Sequence, residues 1–372
     1  MSVLFEGWYG RQNAGDDAFV VLANHVAATV WSANSWRFNA PSQALSRLGV
    51  DSSHALDHPR FRGGKRLLAG LRSATSRHVC YFGGTTLHGG DARARDLSAL
   101  QRARVATLSA ASVSFGPFDT AAQERSASEF VRRFSRVYLR DNGSHERARQ
   151  AMTADRVRQA FDVAVLLPDV FPMGAPAGPR SSGRPRLAVT LCRDDPRAAR
   201  HSAGDLARQE HLRQLIERIA SGCGRPEVAV VVMNGDPGQG DGAMSREFAS
   251  SISNLASVSV VDYSLGLGRT VGAIASSDLV ISTRLHGSVF AYAYDVPFIA
   301  IPYHPKCLEF ARTVASDELL CQDPNGRDLA DIADVAIEIA AGGRQPALRV
   351  SSADARAAVY EALEWVWRGT SG

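Results

Sequence analysis

The chain has 372 residues, with 42 Lys plus Arg against 38 Asp plus Glu for a formal charge of +4, and it is 45% hydrophobic and 22% charged. At roughly 150 residues per domain, that length reads as two domains with a core large enough to need no staples, which excludes the disordered, collagen-like and mini-protein classes. The basic excess carries no nucleic-acid signal: Lys65 and Lys306 are the only lysines, and the arginines are scattered among Asp and Glu, whereas phosphate-backbone binding needs a dense stripe.

The first half alternates short apolar runs with longer helical patterns, an α/β rhythm. Strands are expected at 2–6, 78–82, 105–109, 137–140 and 163–166. Residues 17–31 are apolar nearly all round and read as a buried helix, and 120–134 read as an amphipathic one. The basic stretch 58–78, HPRFRGGKRLLAGLRSATSRH, reads as a solvated helical face, with a surface for an anionic acceptor as the alternative. Residues 171–186, FPMGAPAGPRSSGRPR, combine Pro, Gly and Ser without a hydrophobic period and read as a linker or exposed loop. The expected division is therefore a first domain over 1–170, this linker, a second domain over 187–350 and a C-terminal helix within 351–372 that packs back on the first domain.

After the linker the rhythm resumes, with strands expected at 187–191, 228–233, 258–263, 279–282 and 298–301 and helices at 206–221, 245–255, 288–294 and 352–368. Two open, mostly parallel sheets with helices on both faces is the simplest architecture. Ligands of such sheets sit beyond the carboxyl ends of the strands, so the strand-to-helix turns are where chemistry is sought. The five cysteines, Cys80, Cys192, Cys223, Cys307 and Cys321, are odd in number and form no CxxC pair. Neither a disulfide framework nor a zinc site is expected, and a reducing cytoplasm fits. The N-terminus has no leader pattern and no apolar run reaches the roughly 18 residues of a spanning helix.

Two turns carry the chemistry. GWYGRQNAGDDAF, residues 7–19, follows a strand and opens a helix; Gly10 and Gly15 allow close backbone approach, and the helix start offers unpaired N–H groups at a positive dipole end. A simple turn with Asp16 as N-cap accounts for one carboxylate and leaves Asp17 over. In SDLVISTRLHGSVFAYAYDVPFIAIPYHPKC, residues 277–307, Arg284, His286 and Lys306 fall just past strand ends with a helix start between them. A planar guanidinium fork, an imidazole that exchanges a proton near neutrality and backbone donors suit a small, multiply charged anion. Satisfying strand-end carbonyls is the plain alternative for the Arg or the His taken singly. YFGGTTLHGG (81–90), LRDNGS (139–144) and LCRDD (191–195) are further strand-to-turn segments, and Arg193 falls at the first strand end of the second half.

Together these segments resemble the polysaccharide pyruvyl transferase family. The matching features are NAGDDA, FGGTTL, RDNGS, and STRLHGSVFAYAYDVPFIAIPY with Lys306 just beyond, in that order along most of the chain. The resemblance implies two Rossmann-like domains facing a cleft, similar to the GT-B glycosyltransferase architecture. It implies transfer of the enolpyruvyl unit of phosphoenolpyruvate to two sugar hydroxyls as a cyclic ketal, on an exopolysaccharide or cell-wall glycan precursor, with release of phosphate. The resemblance would put Arg284, His286 and Arg193 at phosphoenolpyruvate; Lys306, Gly287, Asn13, Gly15, Gly83 and Gly84 are expected among the substrate-binding residues, and Asp16 and Asp17 with His286 among the catalytic ones. The family pattern departs at Asp17, where Glu is common, and after Arg193, where Asp194 and Asp195 replace an expected Pro.

Protonating the methylene carbon of phosphoenolpyruvate creates an oxocarbenium-like carbon, so the reaction needs an acid there, cations on carboxylate and phosphate, and a base for the sugar hydroxyl. His286 is expected as acid or phosphate partner, Arg284 and Arg193 as anion clamps, and Asp16 or Asp17 as base or acceptor ligand. No metal and no cofactor beyond the phosphoenolpyruvate donor is expected. The acceptor partner is a sugar or lipid-linked oligosaccharide, which extends the expected cytoplasmic location to peripheral association with the inner face of the membrane. The competing readings are a nucleotide-sugar glycosyltransferase of the same architecture, which wants an acidic residue for a ribose and a slot for a base, and a non-catalytic scaffold, which would have lost the polar turns.

Overall fold

The computed structural model describes residues 1–55, 76–84, 87, 106–173, 184–194, 202–301, 304–315 and 329–370. Most of the basic stretch at 58–78, the centre of the Pro/Gly/Ser segment, His88, Asp195 and Cys321 lie outside these residues, as does Val105 at the start of an expected strand. The chain divides into two compact units. The first comprises Met1–Arg11, Gly15–Val163 and Ala353–Gly372, and the second comprises Gln12–Ala14 and Ala164–Ser352. The division at Val163 precedes the Pro/Gly/Ser segment, the terminal helix belongs to the first unit, and the three residues 12–14 belong to the second.

The first unit is built on a parallel six-stranded sheet in the order β2-β1-β3-β4-β5-β6. Its strands are β1 (Ser2–Glu6), β2 (Ser35–Phe38), β3 (His78–Phe82), β4 (Thr107–Val113), β5 (Arg136–Leu139) and β6 (Val157–Gln159). The inner strands β3 and β4 are buried along almost their whole length, as a sheet covered on both sides demands, with His78, Ser109 and Ser112 set among their apolar residues. β1 is followed by α1 (Ala14–Thr29), whose nearly uniform apolarity fits its deep burial: Ala18, Phe19, Leu22 and Val26 are all inaccessible to water. The helix α2 (Ser42–Arg47) follows β2, and α3 (Ala121–Val131) opens with a full capping box between Thr120 and Gln123.

The strand expected at 163–166 is a short 3-10 helix, Val163–Leu166, running into the helical turn α5 (Leu167–Val170). Four consecutive buried apolar residues fit either form, and Pro168 in the first turn of a helix tips the choice. The RDNGS turn has a structural explanation. Arg140 forms a buried ion pair with Asp162 at 2.7 Å and donates through Nε to Ser114. Asp141 caps α4 (Asn142–Ala151) by accepting from the Ser144 amide, and the Ser144 hydroxyl accepts from the Phe115 amide.

The second unit carries a parallel five-stranded sheet in the order β11-β10-β7-β8-β9. Its strands are β7 (Arg186–Thr190), β8 (Glu227–Val231), β9 (Ser257–Val261), β10 (Leu279–Ser282) and β11 (Phe298–Ala300). Between and after them run α6 (Ala203–Cys223), α7 (Gly242–Ser251), α8 (Leu267–Ala275), α9 (Leu285–Ala293), α10 (Pro305–Val314) and α11 (Leu329–Ala340). α6 begins with a Ser202–Asp205 capping box, reinforced by Arg208, which bridges Asp205 and Asp194 at 2.7 and 2.6 Å. Asp194, where the family pattern expects Pro, is therefore committed to the start of α6. The terminal helix α12 (Ser352–Arg368) completes the described elements. Among the described residues, no helix is long and apolar enough to cross a membrane.

Candidate functional site

The polar residues of the second unit collect at the carboxyl ends of β7 and β10. Thr190, the last residue of β7, and Ser282, the last of β10, share a hydrogen bond of 2.7 Å. The Ser282 hydroxyl donates its one proton to the Arg284 carbonyl at 2.6 Å, so Thr190 is the donor in their pair. Ser282 Oγ also accepts from the Arg284 amide at 3.1 Å, which fixes the turn from β10 into α9. The first turn of α9 then passes so close that a Cβ on Gly287 would lie 2.3 Å from Ser282 Oγ and 2.6 Å from Thr190 Oγ1. Glycine in the R-L-H-G turn is thus required by backbone approach over two strand ends.

Arg284 turns back from this junction. Its Nε donates to the Leu191 carbonyl at 3.1 Å and lies 2.6 Å from Asp241 Oδ2, while Nη2 donates to Asp241 Oδ1 at 2.6 Å. The guanidinium plane is fixed by a two-point ion pair with a carboxylate only 2% exposed. Burial pushes the Asp241 carboxyl up from the ordinary carboxylate range, opposed by the charges of Arg284 and Arg193 and by hydrogen bonds from Arg284 and the Asn234 amide. Asp241 was not anticipated from the sequence, because an Asp directly ahead of a helix looks like an ordinary N-cap. Here its side chain makes no cap bond and is spent on Arg284.

The loop that carries Asp241 leaves β8 and is tied to residues 12–14. The Ala14 amide donates to the Met233 carbonyl and the Gly235 amide to the Gln12 carbonyl, both at 2.8 Å, around an antiparallel bridge between Asn13 and Asn234. The NAGDDA turn therefore splits: Asn13 and Ala14 belong to the second unit, Gly15, Asp16 and Asp17 to the first. The helix starts at Ala14, so Asp16 and Asp17 sit inside its first turn, and the capping role considered for Asp16 does not apply. Asp17 is buried, and the charge of Asp16 acts on the buried phenol of Tyr9, which burial raises well above its ordinary pKa.

Lys306 stands in the first turn of α10, where its amide donates to His304 Nδ1 at 3.3 Å. Burial and the Lys306 charge lower the His304 pKa. Burial also pushes the neighbouring Cys307 thiol up to about 11, against the opposing charges of Lys306 and Arg284. The charge of Arg284 thus acts on both Asp241 and Cys307, that of Arg193 on Asp241 and that of Lys306 on Cys307. His286 is half-buried in the first turn of α9, its ring 6.0 Å from that of Phe290. In the first unit, Gly83 and Gly84 both take φ of 77° in the turn after β3, and a Cβ on Gly83 would lie 2.2 Å from the Phe19 ring. Their glycines serve that turn and its packing on α1. Among the described residues, no group of three or more His, Cys, Asp or Glu is arranged to hold a metal ion.

The fold has well-characterised counterparts. The UDP-GlcNAc 2-epimerase from Neisseria meningitidis, bound to UDP-GlcNAc, superposes with a TM-score of 0.59 at 11% identity, covering 98% of this chain and 99% of that one. The UDP-GlcNAc 2-epimerase from Methanocaldococcus jannaschii gives 0.61 at 9% identity over 96% and 97% of the two chains. The lipopolysaccharide outer core galactosyltransferase WaaB gives 0.52 at 10% identity over 99% and 98%. At such identities the likeness concerns the fold alone: two parallel-sheet α/β units of the kind found in GT-B glycosyltransferases and these epimerases. No curated protein sequence matches the chain. The model of one family, polysaccharide pyruvyl transferase, matches residues 40–305, a span that contains the FGGTTL, RDNGS and R-L-H-G turns together with Asp241. The chain belongs to the polysaccharide pyruvyl transferase family.

Proposed function

We propose that the protein transfers the enolpyruvyl unit of phosphoenolpyruvate to two hydroxyls of a sugar in a glycan precursor, forming a pyruvate ketal and releasing phosphate. The observation that carries this reading is the placement of Arg193, Arg284 and Lys306 just past the carboxyl ends of β7, β10 and β11 of one sheet, with the start of α9 at Arg284. Arg193, Lys306, a guanidinium of Arg284 held in place by Asp241 and a helix N-terminus suit an anionic ligand carrying a carboxylate and a phosphate.

In the reaction a proton is delivered to C3 of phosphoenolpyruvate, leaving positive character at C2. A first sugar oxygen bonds to C2, the C2–O bond to phosphate breaks, and the second sugar oxygen closes the ketal. Of the two hydroxyl protons, one balances the new methyl group and one leaves with phosphate. His286 is assigned the proton delivery or a contact to the departing phosphate. Arg284 and Arg193 are assigned the carboxylate and phosphate, and Asp16 or Asp17 the base or acceptor contact.

The test incubates the protein with phosphoenolpyruvate and a panel of glycan precursors, following phosphate release and a new ketal methyl signal by NMR. In parallel, thermal shift compares phosphoenolpyruvate with nucleotide sugars; ligand at about 100 times its dissociation constant adds about 2.7 kcal/mol of stability. Stabilisation by nucleotide sugars and not by phosphoenolpyruvate would overturn the proposal in favour of glycosyl transfer.

A further inference from the structure

The pair formed by Asp241 and Arg284 is poorly explained as a device for stability. Removing two charges from water costs nearly what their attraction returns, so a buried ion pair of this kind contributes little net stability over apolar side chains of the same volume. The arrangement also forgoes something: Asp241 occupies the residue just ahead of α7, yet its carboxylate caps nothing there and turns to Arg284 instead. Both carboxylate oxygens are engaged by the guanidinium, and Oδ2 also accepts from the Asn234 amide at 3.1 Å.

The carboxylate is itself held in place. The Asp241 amide donates to the Asn234 carbonyl at 2.8 Å, and Asp236 Oδ1 accepts from the amides of Gly238 and Gln239. The loop is wound so tightly that a Cβ on Gly240 would lie 2.4 Å from the Asp236 carbonyl oxygen and 2.5 Å from that of Asn234. At its base, Met233 and Gly235 are paired to Ala14 and Gln12. Residues 12–14 are thus hydrogen-bonded to Met233 and Gly235, the two neighbours of Asn234, and Asn234 is bonded to Asp241, the partner of the Arg284 guanidinium.

We infer that Asp241 is a positioning residue, which orients the Arg284 guanidinium toward the anionic groups of the donor, and that the 234–241 loop couples that orientation to residues 12–14. The inference rests on the phosphoenolpyruvate reading for the identity of the donor, and on the ion pair itself for the role.

The experiment titrates the full chain with phosphoenolpyruvate and, separately, with UDP by calorimetry, recording an unfolding midpoint for each protein. The variants are Asp241→Asn, Asp241→Glu, Arg284→Lys and the Asp241→Asn/Arg284→Lys and Asp241→Glu/Arg284→Lys doubles. Asp241→Asn is expected to weaken phosphoenolpyruvate roughly 10- to 100-fold, the size of effect that outer partners of metal ligands have when removed. In the Arg284→Lys background the same change is expected to add almost nothing, because the partner it acts through is gone. Asp241→Glu keeps the charge and displaces it by one methylene, so it is expected to weaken phosphoenolpyruvate, with a midpoint lowered as at other overpacked sites, and to add almost nothing to affinity loss in the Arg284→Lys background; if Asp241→Asn does not fold, this pair of variants decides. Lowered midpoints with parental affinity, or full additivity with Arg284→Lys, would overturn the inference. A parent that binds UDP but not phosphoenolpyruvate removes the pyruvyl-transfer reading, and the same series read on UDP then decides the role of Asp241. A parent that binds neither removes both.

Discussion

Trp31 and Trp367 stack face to face in the first unit, with ring centroids 5.1 Å apart and planes 5° from parallel. Trp31 is buried and donates through Nε1 to the Leu363 carbonyl at 3.0 Å, so the end of α12 is held to the first unit by a ring stack and a hydrogen bond. Arg136 adds a cation over the Trp365 ring at 4.9 Å and a hydrogen bond to the Trp365 carbonyl. Trp31→Ala should cost about 3–5 kcal/mol of stability, and Trp367→Ala, which is only half-buried, about 2 kcal/mol. Urea unfolding followed by near-ultraviolet circular dichroism measures both. Values under about 0.5 kcal/mol would show that the terminal helix adds nothing to the first unit.

Beside that stack, His78 is fully buried and its Nε2 pairs with Ser109 Oγ at 2.6 Å. Burial pushes the imidazole down to about 3 from an ordinary 6.5. Because the folded pKa lies below the unfolded one, the unfolded chain binds a proton that the native chain refuses between those values. Stability contributed by the neutral ring is therefore full above about pH 6.5 and falls as the pH drops toward 3, by roughly 1.4 kcal/mol per pH unit. His78→Gln removes the titration and keeps a side chain that hydrogen-bonds. Denaturant midpoints measured from pH 7 to pH 4 should show a slope smaller by one proton in the variant, and equal slopes would contradict the assignment.

The elements most legible in the sequence were those with the strongest patterns. β1, β3, β10 and α12 fall where the apolar runs and the helical period put them, because buried parallel strands and a long amphipathic helix leave unambiguous signatures. β2 and β6 leave no such signature: as short edge strands with a half-buried Trp36 and exposed Arg37 and Arg158, they lack an apolar run. In the candidate site, residue types and strand-end placement pointed to Arg284, His286 and Lys306, since cations beyond parallel strands are visible without coordinates. The partner of Arg284 was not visible. Asp241 lies 43 positions away, in a Gly-rich loop whose local pattern reads as a turn and a cap, and only the tertiary fold joins the two. The division of NAGDDA between the units was hidden for the same reason, being a matter of pairing with residues 233–235.

The close passage of α9 over two strand ends makes Gly287 a sensitive position. Gly287→Ala places a Cβ where Ser282 Oγ and Thr190 Oγ1 already sit. Relief requires moving Ser282, whose hydroxyl holds both the amide and the carbonyl of Arg284. The variant should lose about 1–3 kcal/mol of stability, as overpacked sites do, and phosphoenolpyruvate affinity should fall with it because Arg284 is displaced. Calorimetric titration beside thermal unfolding tests this. A variant that melts early yet binds the donor normally would separate packing at Gly287 from the geometry of Arg284.

The split of NAGDDA between the two units yields a contrast between adjacent residues. Ala14 is the first residue of α1, and its amide donates to the Met233 carbonyl. Proline is tolerated at the first position of a helix, where the amide has no helical partner, and the residue before it is pushed toward the extended conformation that Asn13 needs for its bridge to Asn234. Ala14→Pro therefore removes the donor and sets its ring against the Met233 carbonyl, breaking one tie between residues 12–14 and the loop carrying Asp241 at a position the helix itself tolerates. It should weaken phosphoenolpyruvate at least several-fold, since the roughly 1 kcal/mol of the lost hydrogen bond is joined by displacement of the Met233 carbonyl, and leave helical content unchanged. Asp16→Asn and Asp17→Asn alter charge with little change in volume, two and three residues further on, in the first unit. If either carboxylate is the base for the sugar hydroxyl, turnover should fall by roughly 10²–10⁴ with donor affinity nearly constant. Donor titrations and single-turnover rates on the three variants distinguish the effects. Parental donor affinity in Ala14→Pro would sever residues 12–14 from the donor site, and parental turnover in both Asp variants would remove those carboxylates from the chemistry.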